Sequence, residues 1–437
     1  MWILVDLVYL LAFAILTPWL IVRSVLTGRY RQGVGAKLFG TTQLSQSSDQ
    51  STIWFHGVSV GEINLLVTVV GAFRCRHPDW RVVVSTTTET GMAEAKKRFA
   101  DLTVLWWPFD FSWAVGRTLD AIQPRLVVLA ENELWPNFLR IAERRSVPVF
   151  VINGRMSPRS ARRYAKVGRL ARHFMLSRIS RFAMQSEAYA QNLRDLGVSA
   201  ERISVTGSVK YDGVLDERRN PKTLALAELL GIRTEERVWA AGSTHAPEEE
   251  IVLEVFKKLK ARFTELRLIL VPRSADRFDE VARLIERGGL SFVRKSRIKQ
   301  APTDSPAVIL IDTIGDLNAA WGLADVGFTG GSLDGKRGGQ SMIEPAGYGV
   351  PVVFGPHIWN FRDAVQRLLE VQGAIKITDA ATLKHALTEL LQDEPKRLAM
   401  GEAARMLVRA QQGATERTLD VLDEVMGTSP AKSTIAA

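Results

Sequence analysis

The chain has 437 residues, 46% of them hydrophobic, which is enough material for two domains of ordinary size. Its single cysteine, Cys75, excludes an internal disulfide and a thiolate metal cluster, and favours a reducing cytoplasmic setting. The formal net charge of +10 indicates an acidic partner such as nucleic acid, anionic lipid or a phosphorylated substrate.

The N-terminal segment, residues 2–22, is almost wholly apolar and is interrupted only by Asp6, Thr17 and Pro18. A helix of about 20 residues crosses a bilayer. No small-residue cleavage site follows, and four cations lie just beyond the run: Arg23, Arg29, Arg31 and Lys37. The pattern predicts an uncleaved signal anchor whose basic flank keeps the rest of the chain in the cytoplasm. A helix lying in the membrane interface, or packed on the protein, is the alternative.

A short apolar strand, Ile53 to Phe55, leads into the sequence His-Gly-Val-Ser-Val-Gly-Glu at residues 56–62. Glycines at a strand-to-helix turn let the backbone approach a ligand, and the N-terminus of the following helix keeps Glu62 ionised. This position suits a general base. Helix capping is the simple structural alternative for a glutamate at this point.

Short β-branched runs then alternate with helical patterns, at residues 81–85, 103–106, 126–129 and 147–151. Continuous apolar runs, rather than alternating ones, are typical of a parallel sheet that is covered on both faces. The first half of the chain is therefore predicted to be a doubly wound α/β lobe.

Glu131 and Glu133 follow the run at 126–129, so we expect them at the same carboxyl edge of the sheet as Glu62. Neighbouring carboxylates raise each other's pKa, which suits proton transfer near neutrality. A capping role for either acid at the next helix is the alternative.

Between residues 155 and 181 the chain carries nine Lys or Arg and no acid. The nine are Arg155, Arg159, Arg162, Arg163, Lys166, Arg169, Arg172, Arg178 and Arg181. A charge run is usually a solvated helix face, but a run without compensating acids repels itself unless an anion binds to it. Next to an N-terminal anchor, the run favours anionic lipid as the partner.

The strand rhythm restarts after residue 210, with candidate strands at 238–242, 266–271, 308–311, 326–328 and 350–354. A charged stretch with a proline, 212–223, marks the predicted hinge. The predicted domains are a membrane anchor and basic flank at 1–40, an N-terminal α/β lobe at 41–211, a C-terminal α/β lobe at 212–427 and a disordered tail at 428–437. Two such lobes imply a cleft between them.

Glycines and polar residues end several strands of the second lobe. Gly330-Gly331-Ser332 closes one strand and is followed by Gly338-Gly339-Gln340-Ser341. Glycines at a helix entrance expose backbone N–H groups that bind phosphate, and Glu344 is suited to accept hydrogen bonds from ribose hydroxyls. Gly242 and Arg273 end two further strands, so the sequence predicts a nucleotide site at this carboxyl edge.

Taken in order, these blocks resemble the 3-deoxy-D-manno-octulosonic acid (Kdo) transferases, which are inverting glycosyltransferases of the GT-B fold in lipopolysaccharide assembly. The resemblance extends from the N-terminal run to about Ile377. Its most specific parts are residues 56–62, 85–88 with 90–91, 131–137, 153–157, 206–210, 312–317 and 330–356.

The resemblance implies that CMP-Kdo is the donor and a lipid A precursor the acceptor, at the cytoplasmic face of the inner membrane. Glu62 matches the general base of the family, and Glu131 and Lys210 match positions assigned to transition-state stabilisation. The residues that match the CMP-holding segments are Pro272, Arg273, Ile314, Gly315, Asp316, Ser341, Met342, Ile343 and Glu344.

Two departures from the family pattern concern the donor segments. Ile314-Gly315-Asp316 stands where the family usually has Met-Gly-Glu, and Gln340-Ser341 stands where it usually has His-Asn. No metal or other cofactor is expected, because no pair among the six histidines has metal-ligand spacing and Arg273 and Lys210 are suited to stabilise the leaving CMP.

Two other functions fit parts of the sequence. One is a different membrane-associated GT-B transferase that uses a UDP-sugar on a lipid or wall precursor. The other is a non-catalytic protein that binds anionic membranes or nucleic acid, which explains the charge but neither the strand-end acids nor the glycine clusters. With an N-terminal anchor present, nucleic acid is not the expected partner.

Overall fold

The computed structural model describes residues 2–27, 31–41, 50–131 and 133–427, and the chain forms two compact units. The first unit combines the chain up to Asp212 with the chain from Gln412 onward, and the second comprises Gly213–Gln411. The predicted tail, residues 428–437, lies outside the described residues.

The first unit is built on a seven-stranded parallel sheet of order β3-β2-β1-β4-β5-β6-β7. Its strands are β1 (Thr52–His56), β2 (Arg81–Thr86), β3 (Thr103–Trp106), β4 (Leu126–Ala130), β5 (Val149–Gly154), β6 (Arg181–Met184) and β7 (Ile203–Val205). All residues of β1 and β4 are buried, because helices cover both faces of the sheet.

The helices before the second unit are α1 (Trp2–Thr27), α2 (Val34–Phe39), α3 (Val60–Arg76), α4 (Glu89–Arg98), α5 (Ser112–Ile122), α6 (Pro136–Arg144), α7 (Pro158–Lys166), α8 (Gly168–Phe174) and α9 (Glu187–Asp195). One face of the sheet packs on α3 and α4 around Phe55 and Phe73. The other face packs on α5, α6 and α9 around Trp54 and Phe138.

The second unit repeats this plan with a parallel sheet of order β10-β11-β9-β8-β12-β13-β14. Its strands are β8 (Arg237–Thr244), β9 (Leu266–Pro272), β10 (Phe292–Arg294), β11 (Val308–Leu310), β12 (Val326–Thr329), β13 (Val352–Phe354) and β14 (Ala374–Lys376). Its helices are α10 (Pro221–Leu230), α11 (Glu248–Lys260), α12 (Phe278–Arg287), α13 (Leu317–Leu323), α14 (Ile343–Gly347), α15 (Arg362–Glu370), α16 (Ala380–Gln392) and α17 (Glu394–Gln411). The predicted fold class of two doubly wound α/β lobes is confirmed.

Each sheet contains one pair of neighbouring central strands at which the order of strands along the chain reverses. The pair is β1 and β4 in the first sheet, and β8 and β12 in the second. Loops that follow such a pair turn to opposite faces and leave a crevice at the carboxyl ends of the strands. Glu62 and Glu131 follow the first pair, so the acids singled out by sequence lie at the point where open α/β sheets usually bind ligands.

Four short strands are missing from the sequence prediction. Three of them, β7, β10 and β14, have three residues each and form edges of their sheets. The fourth, β6, begins at the last arginine of the basic run. In each case the apolar run is too short, or too mixed with charge, for periodicity to reveal a strand.

The last helix, α18 (Ala414–Met426), corrects the predicted division, which placed residues up to 427 in the second lobe. Leu419 and Leu422 are fully buried in the core formed by α3 and the first sheet. His77, the C-cap residue of α3, lies 2.7 Å from the Asp423 carboxylate, and Arg76, the last residue of α3, lies 2.9 Å from the same carboxylate. The sequence of an amphipathic helix does not indicate which of two sheets the helix covers. The packing of α18 on the first sheet was therefore not predictable.

The predicted single-span anchor is not confirmed. Among the helices that the structure describes, none combines the length and the hydropathy of a membrane-crossing segment. One side of α1 contacts the first unit through Asp6, Tyr9 and Phe13. Other positions of α1 expose large apolar side chains, among them Leu7, Leu11, Ile15, Val22 and Leu26.

Candidate active site

Glu62 lies in the first turn of α3, directly after β1. Its Oε2 accepts a hydrogen bond from the backbone N–H of Val58 (2.7 Å), and its Oε1 accepts one from the hydroxyl of Ser59 (2.9 Å). Ser59 is the N-cap residue of α3, so the capping contacts expected for a glutamate here are present. The side chain is partly exposed at the carboxyl edge of the sheet.

Burial raises the pKa of Glu62 to about 7. The hydrogen bonds from Val58 and Ser59 oppose this rise because they stabilise the carboxylate, whereas the negative charges of Glu131 and Glu133 add to it. A carboxyl group with this pKa exchanges a proton near neutrality, as a general base must. Capping and proton transfer are therefore compatible roles for the same side chain.

The neighbouring strand fixes the loop that carries Glu62. The hydroxyls of Thr86 and Thr88 donate to the carbonyl oxygen of Val58 at 3.0 and 2.8 Å. A Cβ at Gly91 would lie 2.5 Å from Thr86 Oγ1, so only glycine fits beside these two hydroxyls. The Ser/Thr block that the sequence singled out thus positions the backbone next to Glu62.

Glu131 and Lys210 form an ion pair, with Lys210 Nζ 3.1 Å from Glu131 Oε1. Glu131 follows β4 with a φ of +58°, a conformation that is costly for a residue with a side chain. Lys210 lies in a 3-10 turn, Val209–Tyr211, whose first N–H donates to Asn153 Oδ1 at 3.2 Å. The structure therefore brings together the three predicted catalytic residues in the first unit, since the charge of Glu131 also acts on Glu62.

Asn153 belongs to the 153–157 block that carries the family resemblance, but the sequence analysis assigned it no role. It is the second-last residue of β5, has a φ of +51°, is fully buried and accepts the Val209 N–H that begins the Lys210 turn. The available signal was the Asn-Gly pair at residues 153–154, because asparagine tolerates the left-handed conformation.

In the second unit, Arg273, Ser341 and Glu344 lie close enough to interact. Burial raises the pKa of Glu344, while the charge of Arg273 and a hydrogen bond from Ser341 oppose the rise. Arg273 itself is exposed directly after Pro272, the last residue of β9, and its N–H donates to the Thr244 carbonyl at 3.0 Å.

The other predicted donor residues differ in what they can present to a ligand. Met342 and Ile343 are buried, so neither side chain is available to a ligand. Ile314 is 82% exposed, and Gly315 has a φ of +105° that favours glycine. Asp316 is the N-cap residue of α13, which packs against α14, and its Oδ2 lies 3.0 Å from Lys295 Nζ.

The glycine pair at 330–331 does not present the free amide groups that the sequence predicted for phosphate. The N–H groups of Gly331, Ser332 and Leu333 donate to the Glu248 carboxylate at 2.7, 2.9 and 3.0 Å. Glu248 is fully buried at the start of α11 and also accepts the N–H of His245 at 3.1 Å. Sequence reasoning missed this residue; the only signal was the run of three glutamates at 248–250.

His56, at the end of β1, has a packing role. It is fully buried, its Nδ1 lies 3.0 Å from Ser85 Oγ, and its ring stacks on Trp107 with centroids 3.8 Å apart. Burial lowers its pKa to about 3, so the ring is neutral at physiological pH.

Most of the basic run at 155–181 forms an exposed surface on α7 and α8. Its exposed members are Arg159, Arg162, Arg163, Lys166, Arg169 and Arg172. Two other members have acidic partners from distant parts of the chain, since Arg178 pairs with Glu143 and Arg181 pairs with Glu424. Val167 and Leu170 are 51% and 60% exposed within the same surface.

Two doubly wound parallel α/β units in one chain define the GT-B class of proteins. A solved UDP-N-acetylglucosamine 2-epimerase has the same fold, with a TM-score of 0.58 over 87% of this chain and 97% of its own, at 14% identity. A likeness at this identity concerns the fold alone.

The sequence comparisons define the family. The 3-deoxy-D-manno-octulosonic acid transferase of Haemophilus influenzae is 33% identical over 91% of this chain and 92% of its own length. The 3-deoxy-D-manno-octulosonic acid transferase of Bordetella pertussis is 34% identical over 86% of this chain and 87% of its own length. A family model described as 3-Deoxy-D-manno-octulosonic-acid transferase (kdotransferase) matches residues 32–213. The chain belongs to the Kdo transferase family and is a glycosyltransferase.

The role of Glu248 gives a first prediction. We expect Glu248→Gln to speed amide hydrogen exchange at residues 331–333 by about 10- to 100-fold, because an amide has one acceptor oxygen and each unpaired buried donor costs about 1–3 kcal/mol. Exchange measured by mass spectrometry on peptides covering 330–333 tests this. Glu250→Gln, an exposed change on the same turn, is the control, and equal protection in the two variants would contradict the assignment.

Proposed function

We propose that this enzyme transfers Kdo from CMP-Kdo to a hydroxyl group of a lipid A precursor, with inversion at the anomeric carbon and without a metal ion. The observation that carries the proposal is Glu62, a carboxyl group with a pKa of about 7 at the β1/β4 crevice. Membership of the Kdo transferase family supports the sugar.

In the proposed reaction Glu62 takes the proton of the acceptor hydroxyl as that oxygen forms a bond to the anomeric carbon. The bond between this carbon and the phosphate oxygen breaks, and its electron pair leaves with CMP. Attack from the face opposite the leaving group inverts the configuration, and a single base suffices because no covalent intermediate forms. The Glu131–Lys210 pair would stabilise charge that develops in the transition state.

The donor assignment rests on the carboxyl edge of the second sheet. Arg273 supplies an exposed cation for the phosphate of CMP, and Glu344 supplies acceptor oxygens for ribose hydroxyls. The loop at Ile314, Gly315 and Asp316 and the partly exposed Ser341 would complete the nucleotide contacts. Tighter binding of UDP than of CMP in a calorimetric titration would overturn the donor assignment.

We also place the enzyme on the cytoplasmic face of the inner membrane, with anionic lipid as a partner. The exposed apolar positions of α1 and the exposed cations of α7 and α8 both belong to the first unit. Within α7 and α8 the exposed Val167 and Leu170 lie among the cations, and apolar side chains next to cations are the composition of surfaces that bind anionic lipid.

The role of Glu62 predicts a large loss of activity in Glu62→Gln. We expect kcat to fall by at least about 100-fold, the usual scale for a removed general base, while CMP binding is unchanged. For the unaltered enzyme, kcat/KM should fall as the pH drops through about 7, because the raised pKa leaves Glu62 protonated below that value. Full activity of the variant, or activity that is flat from pH 8 to 5, would contradict this role.

The basic surface predicts a defect in acceptor use. Replacing Arg159, Arg162 and Arg163 by Ala should lower partitioning to anionic vesicles by up to about 100-fold, since each cation near an anionic surface contributes about 1 kcal/mol. The acceptor KM should rise and CMP binding should stay unchanged. Replacing the exposed cations of α4, Lys96, Lys97 and Arg98, removes equal charge and is the control. Equal effects of the two triple changes would argue against a dedicated surface.

A further inference from the structure

The N-terminal helix α1 provides the N-terminal cap of another helix, α5, through the carboxylate of Asp6. Asp6 Oδ1 accepts the backbone N–H of Ser112 at 2.9 Å, and Oδ2 accepts the hydroxyl of Ser112 at 2.6 Å. Ser112 is the first residue of α5, whose own N-cap, Phe111, provides no side-chain hydrogen bond. A residue 106 positions earlier in the chain therefore caps this helix.

The start of α6 is held in the same way by a second carboxylate. Asp110 accepts the N–H groups of Asn137 and Phe138 at 2.9 and 2.7 Å, and α6 also lacks a side-chain cap of its own. The hydroxyl of Tyr9, one turn along α1 from Asp6, donates to the same Asp110 carboxylate at 3.1 Å. Two residues of α1 thus contact the network that begins α5 and α6.

Asn137 joins the two capping carboxylates. Its Nδ2 donates to Asp6 Oδ1 at 3.0 Å and to the carbonyl oxygen of Asp110 at 2.7 Å, and the residue is fully buried. Asn137 directly follows Pro136, the first residue of α6, and the segment just before that proline contains Glu131 and Glu133. The carboxylate of Asp6 is consequently one hydrogen bond away from the end of the loop that carries both acids.

We propose that Asp6 is a positioning residue for the transfer reaction: docking of α1 through Asp6 and Asn137 sets the positions of Glu131 and Glu133, which precede α6. This inference rests on the proposed role of these acids in catalysis. It implies that the N-terminal helix is a working part of the first unit, so that loss of its docking lowers turnover even when the enzyme stays in contact with its acceptor.

The test compares Asp6→Ala, Asn137→Ala and the double variant in the full chain, assayed in detergent micelles. We expect Asp6→Ala to lower kcat by about 10- to 100-fold, the scale of a small misplacement of catalytic groups, with the donor KM unchanged. If Asp6 acts through Asn137, the double variant should be no slower than Asn137→Ala. Asp79→Ala, the same change at an exposed position of the first unit, is the control and should keep its kcat.

Two results would overturn the proposal: a kcat for Asp6→Ala equal to that of Asp79→Ala, or losses that multiply in the double variant. If Asp6→Ala does not fold, Ser112→Ala removes a single hydrogen bond to Asp6, and its kcat relative to Asp79→Ala decides in the same way. Amide exchange at residue 131, whose N–H donates to the Ile152 carbonyl at 2.9 Å, gives a readout without any substrate. Faster exchange there in Asp6→Ala supports the positioning role even if CMP-Kdo proves to be the wrong donor, whereas unchanged exchange contradicts it.

Discussion

The candidate active site depends on one property of parallel sheets, which is that the carboxyl ends of all the strands lie at the same edge. Where the strand order reverses, between β1 and β4, the loops after the two strands diverge and leave their polar residues beside an open crevice. Glu62 and Glu131 follow these two strands, and their charges interact. The raised pKa of Glu62 follows from this placement, because a partly buried carboxyl group surrounded by other acids holds its proton more tightly.

Hydrogen bonds to backbone N–H groups support the carboxyl edge of the first sheet, and most of them are helix caps. Ser59 caps α3, which carries Glu62. Asp6 caps α5, Asp110 caps α6 directly after the segment with Glu131, and Asn153 accepts the first N–H of the turn that carries Lys210. Each of these contacts satisfies backbone N–H groups that a helix or turn leaves unpaired.

The sequence was sufficient for the features that depend on local patterns. Continuous apolar runs such as Leu126 to Leu129 predict covered parallel strands, and a glutamate after two glycines predicts the start of a helix at Glu62. Contacts between distant residues were not predictable. Glu248 binds a loop more than 80 positions away, and α18 crosses back to the first sheet, and neither leaves a periodic signal. The residues expected to hold the donor were identified by resemblance to the family, because composition alone does not reveal them.

The proposed role of Glu62 requires that its carboxyl group gains and loses a proton near neutral pH. The most direct measurement is a carbon-13 NMR titration of glutamate-labelled full-length protein, with Glu62→Gln used to assign the Glu62 carboxyl signal. We expect the Glu62 signal to titrate with a midpoint at about pH 7. The midpoint should fall when Glu131 and Glu133 are replaced by Gln, because their charges help to raise the pKa of Glu62. A midpoint at the ordinary value of 4.5 would contradict it.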